Sequence, residues 1–63
     1  MSGGFISPHV FQQRLHREGV DVALRTVQDW CKRRVLDARK IGRAWKIRES
    51  EVRRIMEAGT EGL

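Results

Sequence analysis

Apolar positions recur along this chain in two periods, and the change of period divides it into elements. Val10, Phe11 and Leu15 share one face at helical spacing. Ser7-Pro8 precedes them, and that pair suits a helix start: the Ser hydroxyl accepts first-turn N–H groups, and Pro fits the first helical position. Gly19 after Glu18 supplies a left-handed stop, which predicts a first helix over residues 8–18. After Val20-Asp21, the residues Ala23, Val27, Trp30 and Cys31 recur at steps of three and four, predicting a second amphipathic helix over residues 23–34. At 100° per residue its opposite face carries Arg25, Gln28, Asp29 and Lys32, with Arg33 at the border.

Beyond residue 35 the pattern changes. Arg39-Lys40-Ile41 and Ala44-Trp45-Lys46-Ile47 read as two short strands around Gly42-Arg43, where Gly42 can take the positive φ of a type I′ or II′ hairpin turn. Strand alternation turns Trp45 and Ile47 toward the helices, puts Lys46 and Arg48 on the other face, and leaves Arg43 at the tip. A third helix is predicted over residues 49–58, with Val52, Ile55 and Met56 inward and Gly59 as its end. The resulting fold class is α+β and mostly helical: three short helices with a two-stranded β-hairpin, the plan of a minimal winged helix-turn-helix. The domain is expected to cover residues 5–59, with residues 1–4 and 60–63 as flexible ends.

With 63 residues the chain makes one small core, leaving no room for a deep substrate cleft, so recognition is expected on the outer surface. The net charge of +5 favours an anionic partner, and its distribution is uneven. Between residues 32 and 54 stand ten Lys or Arg against three acids, Asp37, Glu49 and Glu51. Ser7, Ser50, Cys31, His9 and His16 form no ordered set of nucleophile, base and orienting group, which argues against an enzyme. Cys31 has neither a disulfide partner nor a CxxC companion, and the two histidines lack a third ligand, so no metal and no cofactor are expected. No apolar run approaches a membrane span and no secretory leader precedes the domain, which points to a soluble, cytoplasmic protein without membrane contact.

Thr26-Val27-Gln28-Asp29-Trp30 through Leu36, followed by Ile41-Gly42-Arg43-Ala44-Trp45-Lys46-Ile47, resembles the phage excisionase family, also called recombination directionality factors, which shares its fold with MerR-type regulators. Similar members carry Thr-Val at the start of the recognition helix, Leu before the first wing strand and a Val-Gly-Arg-x-Trp-Arg-Ile wing. This chain matches that spacing without a gap over residues 26–47. Ile6-Ser7 and Leu15 resemble the family's opening Leu-Thr and a later Leu of its first helix. The turn between Leu15 and Thr26 is several residues longer than in similar members, and Arg34 and Asp37 replace a usual Gly and Pro. Ala23 stands at the usual Ser cap, so Asp21 is the expected substitute N-cap.

The resemblance implies a protein that binds adjacent direct repeats near an attachment site, bends the DNA, self-associates on it, and contacts a phage integrase so that excision is favoured. It also implies a bacterial, nucleoid-associated setting. Double-stranded DNA is then the expected partner, contacted by recognition-helix residues Arg25, Thr26, Gln28, Asp29, Lys32 and Arg33, and by wing residues Arg39, Lys40, Gly42, Arg43 and Lys46. Asp29 runs against uniform phosphate binding; it can accept from cytosine or orient Arg25 or Arg33. Three alternatives stand beside this reading: a small MerR-like transcriptional regulator, the DNA-binding part of a terminase small subunit, and a basic module that binds an acidic protein. The first two generally carry a long dimerisation helix, which this sequence does not show.

Overall fold

The computed structural model describes residues 4–59. Six elements follow in order: β1 (Phe5–Ile6), α1 (Pro8–Arg17), α2 (Leu24–Lys32), β2 (Ala38–Ile41), β3 (Ala44–Arg48) and α3 (Ser50–Ala58). The expectation of flexible ends at 1–3 and 60–63 lies outside the described residues. At residue 4 the Gly carbonyl accepts the Glu49 N–H at 2.9 Å.

α1 starts as its sequence dictates. The Val10 N–H donates to Ser7 Oγ at 3.2 Å, and Pro8 occupies the first turn. At its end Gly19 has φ 92, and the N–H groups of Gly19 and Val20 donate back to the carbonyls of His16 and Leu15 at 3.0 and 2.8 Å. These are the two bonds of a Schellman motif, which satisfies carbonyls left over at a helix end. The end of α2 repeats the device: Arg34 and Val35 donate to Cys31 and Trp30 at 3.2 and 3.1 Å, with Arg34 at φ 58 in the left-handed position.

Three expectations about the helices are corrected. Asp21 does not cap α2; Ala23 holds the cap position, its carbonyl accepts from Thr26 and Val27, and no side chain bonds the free N–H groups of the first turn. Two residues upstream of the cap, Asp21 instead faces His16 Nδ1 at 3.8 Å. Ala23 is also exposed rather than part of the apolar stripe. In α3, Met56 points outward at 36% exposure, while Glu51 turns inward. Glu51 is buried because it has partners: Arg54 donates to it at 2.6–3.1 Å, and the Asp37 N–H donates at 3.1 Å.

The sheet has three antiparallel strands in the order β1-β3-β2, one more than the hairpin expected from sequence. Two residues cannot display a strand period, and β1 exists only because Phe5 and Ile6 pair with Arg48 and Ile47. The β2–β3 register runs from Ala38↔Ile47 to Ile41↔Ala44, leaving Gly42-Arg43 as a two-residue turn. Of those two only Gly42 has positive φ, at 63, which matches type II′.

One core joins all the layers: Phe11 and Leu15 from α1, Val27, Trp30 and Cys31 from α2, Leu36, Ile47 from β3, and Ile55 from α3. Ile47 is fully buried at its centre, and Trp45 is half-buried against it. No described helix is long and apolar enough to cross a membrane.

Candidate nucleic-acid interface

The face of α2 opposite Val27, Trp30 and Cys31 is the first candidate surface. Arg25, Gln28, Asp29 and Lys32 are exposed on it and Thr26 is half-buried. Arg33 follows at the C-cap, where its Nη1 lies 3.4 Å from Asp29 Oδ2. Of the two partners open to Asp29 within the helix, Arg33 is thus the one it meets, at the i,i+4 spacing that favours such pairs. Arg25, Gln28 and Lys32 keep their side-chain polar groups free of partners within the described chain.

What aims this face outward is the packing on both sides of α2. Gln12 of α1 donates to the Val22 carbonyl at 2.9 Å, fixing the turn that enters the helix. At the exit, Arg54 Nη2 donates to the Val35 carbonyl at 2.7 Å while bonded to Glu51, and Glu51 holds the Asp37 N–H. α3 therefore clamps the segment that leads from α2 into β2. The Glu51 carboxylate beside Arg54 holds the guanidinium pKa above its ordinary value.

The second candidate surface is the hairpin. Pairing register sorts its residues: Lys40 lies opposite Trp45 on the inner face, while Arg39, Ile41, Ala44, Lys46 and Arg48 share the outer face with Phe5. Lys40 Nζ stands 5.8 Å over the Trp45 ring, so this cation extends the inner face beyond the core rather than joining Arg39 and Lys46. Arg43 is exposed at the tip beside Gly42. No ion pair or side-chain hydrogen bond among the described residues joins the α2 set to the hairpin set; they are two patches.

The basic excess of the second half divides between surface and scaffold. Arg54 is held by Glu51 and Val35, and Arg48 Nε lies 2.8 Å from Asp37 Oδ2, out of line for a hydrogen bond. Arg25, Lys32, Arg39, Lys40, Arg43, Lys46 and Arg53 form no ion pair with a described acid. Residue spacing did not single out Phe5 or Ile41, which are 38% and 62% exposed on the outer sheet face. Strand alternation from Ile47 was the available signal for Ile41; for Phe5 there was none, because β1 carries no pattern of its own. Among the described residues no three His, Cys, Asp or Glu side chains gather into a metal-binding group. The open hollows beside α1–α3 and beside residues 34–38 are shallow and lined largely by charged groups such as Arg14, Glu49, Glu51 and Arg54.

A family model described as a helix-turn-helix domain matches residues 18–60, about two thirds of the chain, from the end of α1 through the hairpin and α3. No curated protein and no solved structure matches the chain.

Proposed function

The chain belongs to the helix-turn-helix domain family, a DNA-binding family that includes excisionase-like proteins, and from that premise we propose that it is an architectural DNA-binding protein of the excisionase type. It binds adjacent direct repeats near an attachment site, bends the duplex and favours integrase-mediated excision. The observation that carries this reading is the exposed Arg25/Gln28/Lys32 face of α2, followed by a basic hairpin whose sequence resembles the excisionase wing over residues 26–47.

α2 enters the major groove, where Arg25 and Gln28 hydrogen-bond base edges and Thr26, Lys32 and Arg33 hold phosphates. Asp29 lies 3.4 Å from the Arg33 guanidinium and orients it. The wing reaches the neighbouring groove through Arg39, Arg43 and Lys46, with Gly42 making the tight tip that the groove admits. The domain measures 30 × 28 × 19 Å, less than the roughly 34 Å of one DNA turn, so each copy offers one helix and one wing to a short site. Strength then comes from several copies placed head to tail, an arrangement that extends along the duplex rather than closing.

Duplexes recovered from a random-sequence pool by the protein, rebuilt as one-repeat and three-repeat fragments, test this by gel shift and circular-permutation bending. The expected result is a concerted transition with bending on three repeats, weak binding to one, and a log–log salt slope of about −4 to −5 per copy. A stable free dimer that binds an inverted repeat without cooperativity or bending would overturn the excisionase role in favour of a small regulator of the MerR type. A flat salt response would remove the electrostatic case for phosphate contact by these cations.

A further inference from the structure

Ile41, the last residue of β2, is exposed in a setting that its chemistry does not favour. At 62% it is the most exposed large apolar side chain among the described residues. Its cross-strand neighbour is Ala44, whose methyl group covers little of it, and residues 40–44 are all exposed, so the hairpin end stands clear of the body. Phe5, the other exposed apolar residue of this sheet face, is attended by Arg39 and Arg48 guanidinium groups at 6.0 and 5.4 Å from its ring. Ile41 has no such cover and takes no part in the core cluster.

Around it the charge is of one sign. Residues 38–47 include Arg39, Lys40, Arg43 and Lys46 and no acid, and none of these four cations has an ion-pair partner among the described residues. A partner that buries Ile41 must therefore offer anionic walls around an apolar slot. The minor groove of duplex DNA has that chemistry: it is about 6 Å wide, with phosphates along its rims and sugar C–H groups along its walls. The apolar faces of stacked bases become reachable from its floor when a step opens. A β-branched side chain, stiff at χ1, enters such a slot with little further loss of freedom.

We propose that Ile41 is an apolar wedge, which the wing presses into the minor groove to open a base step and kink the duplex. This rests on the DNA-binding reading above and names the residue through which bending occurs. The cations at positions 39, 43 and 46 grip the rims, and the side chain between them gains its apolar contact only when the step beneath it partly unstacks. Pyrimidine–purine steps unstack most readily, so the wing selects its position by deformability rather than by hydrogen bonds.

The test uses the full chain and a duplex recovered by it from a random-sequence pool. That duplex is end-labelled for energy transfer and carries 2-aminopurine at successive A positions. Wild-type protein is expected to raise end-to-end transfer and brighten 2-aminopurine at one step. Ile41→Ala should abolish the brightening, reduce the transfer change and weaken binding about tenfold, because the buried branched side chain is lost. Ile41→Lys adds a cation; if the residue only neighbours phosphates it binds more tightly with bending unchanged, and that result overturns the wedge. Wedge action predicts that Ile41→Lys binds no more tightly than wild type and leaves the duplex straight. Dichroism and thermal melting are expected to be unchanged in both variants, since the position is exposed. A free wild-type protein that self-associates, with Ile41→Lys monomeric and still bending DNA, would assign the side chain to a contact between copies instead. If no duplex is recovered, the DNA-binding reading itself fails and the wedge with it.

Discussion

Arg34 carries φ 58, a left-handed conformation that crowds any side chain with a Cβ, and it does so at the position where a Schellman motif favours glycine. Arg34 therefore places a cation there at the cost of backbone strain. Arg34→Gly is expected to raise unfolding free energy by about 0.5–1 kcal/mol, after the greater freedom of unfolded Gly is set against the relieved strain. A urea midpoint that stays level or drops would show that the Arg34 side chain repays its backbone. Cys31 is a residue of the opposite kind, 1% exposed in the core, where burial pushes its thiol from 9.0 up to about 11. The folded state therefore holds the proton more tightly than the unfolded state. Its contribution is fully present below pH 9 and is lost as pH rises toward 11. The urea midpoint should fall across that window, and the decline should be shallower in Cys31→Ala; the chain has no tyrosine to titrate alongside. Iodoacetamide at pH 8 should modify the native thiol far more slowly than the unfolded one, and equal rates would contradict the burial.

At the scale of elements, α2 is anchored at its end but bare at its start. Ala23 has extended angles, φ −75 and ψ 152, suited to a capping side chain that it does not possess. Ala23→Ser should add a bond to a first-turn N–H and stabilise the domain by about 1 kcal/mol, seen as a higher thermal midpoint. No gain would mean that the turn held by Gln12 prevents the hydroxyl from reaching those groups. The hairpin is the converse case, paired along its length with an exposed tip. Arg43 follows the one positive-φ residue of the turn and is exposed, so Arg43→Ala should leave far-UV dichroism and melting unchanged. Affinity for duplex DNA should fall by about 1–2 kcal/mol, as expected for one charge-assisted contact. Loss of helicity in that variant would show that the tip is structural.

For the molecule as a whole, stability rests on one cluster of eight buried side chains that draws on every helix and, through β3, on the sheet. Ile47 is fully buried within it and pairs with both Ile6 and Ala38, so it joins the sheet to the helices. Ile47→Ala should cost about 2–5 kcal/mol, close to the whole stability of a domain this small, and leave the chain largely unfolded at 37 °C. A cooperative melt within a few degrees of wild type would contradict that role. The same connectivity ties recognition to folding. Glu51 and Arg54 of α3 grip the segment between α2 and β2, so the two candidate DNA-contacting patches are set by one scaffold.

The three helices, the hairpin and its turn residue were legible in the sequence because each depends on signals within one or two turns of chain. Ser7-Pro8, the 3.6-residue stripes and Gly42 act locally, and neighbours along the chain suffice to determine their conformations. The exposed face of α2 was legible for the same reason, since periodicity alone separates Arg25, Gln28 and Lys32 from Val27 and Trp30. Only the tertiary structure decided the features that depend on distant pairing. β1 forms because β3 offers an open edge to Phe5 and Ile6; Glu51 turns inward because Arg54 and the Asp37 N–H meet it there; Arg48 and Arg54 leave the basic surface for the scaffold. Composition counts such charges alike; a fixed partner distinguishes them, and only Glu51 is buried as well, because an ion gives up water only where another group replaces it.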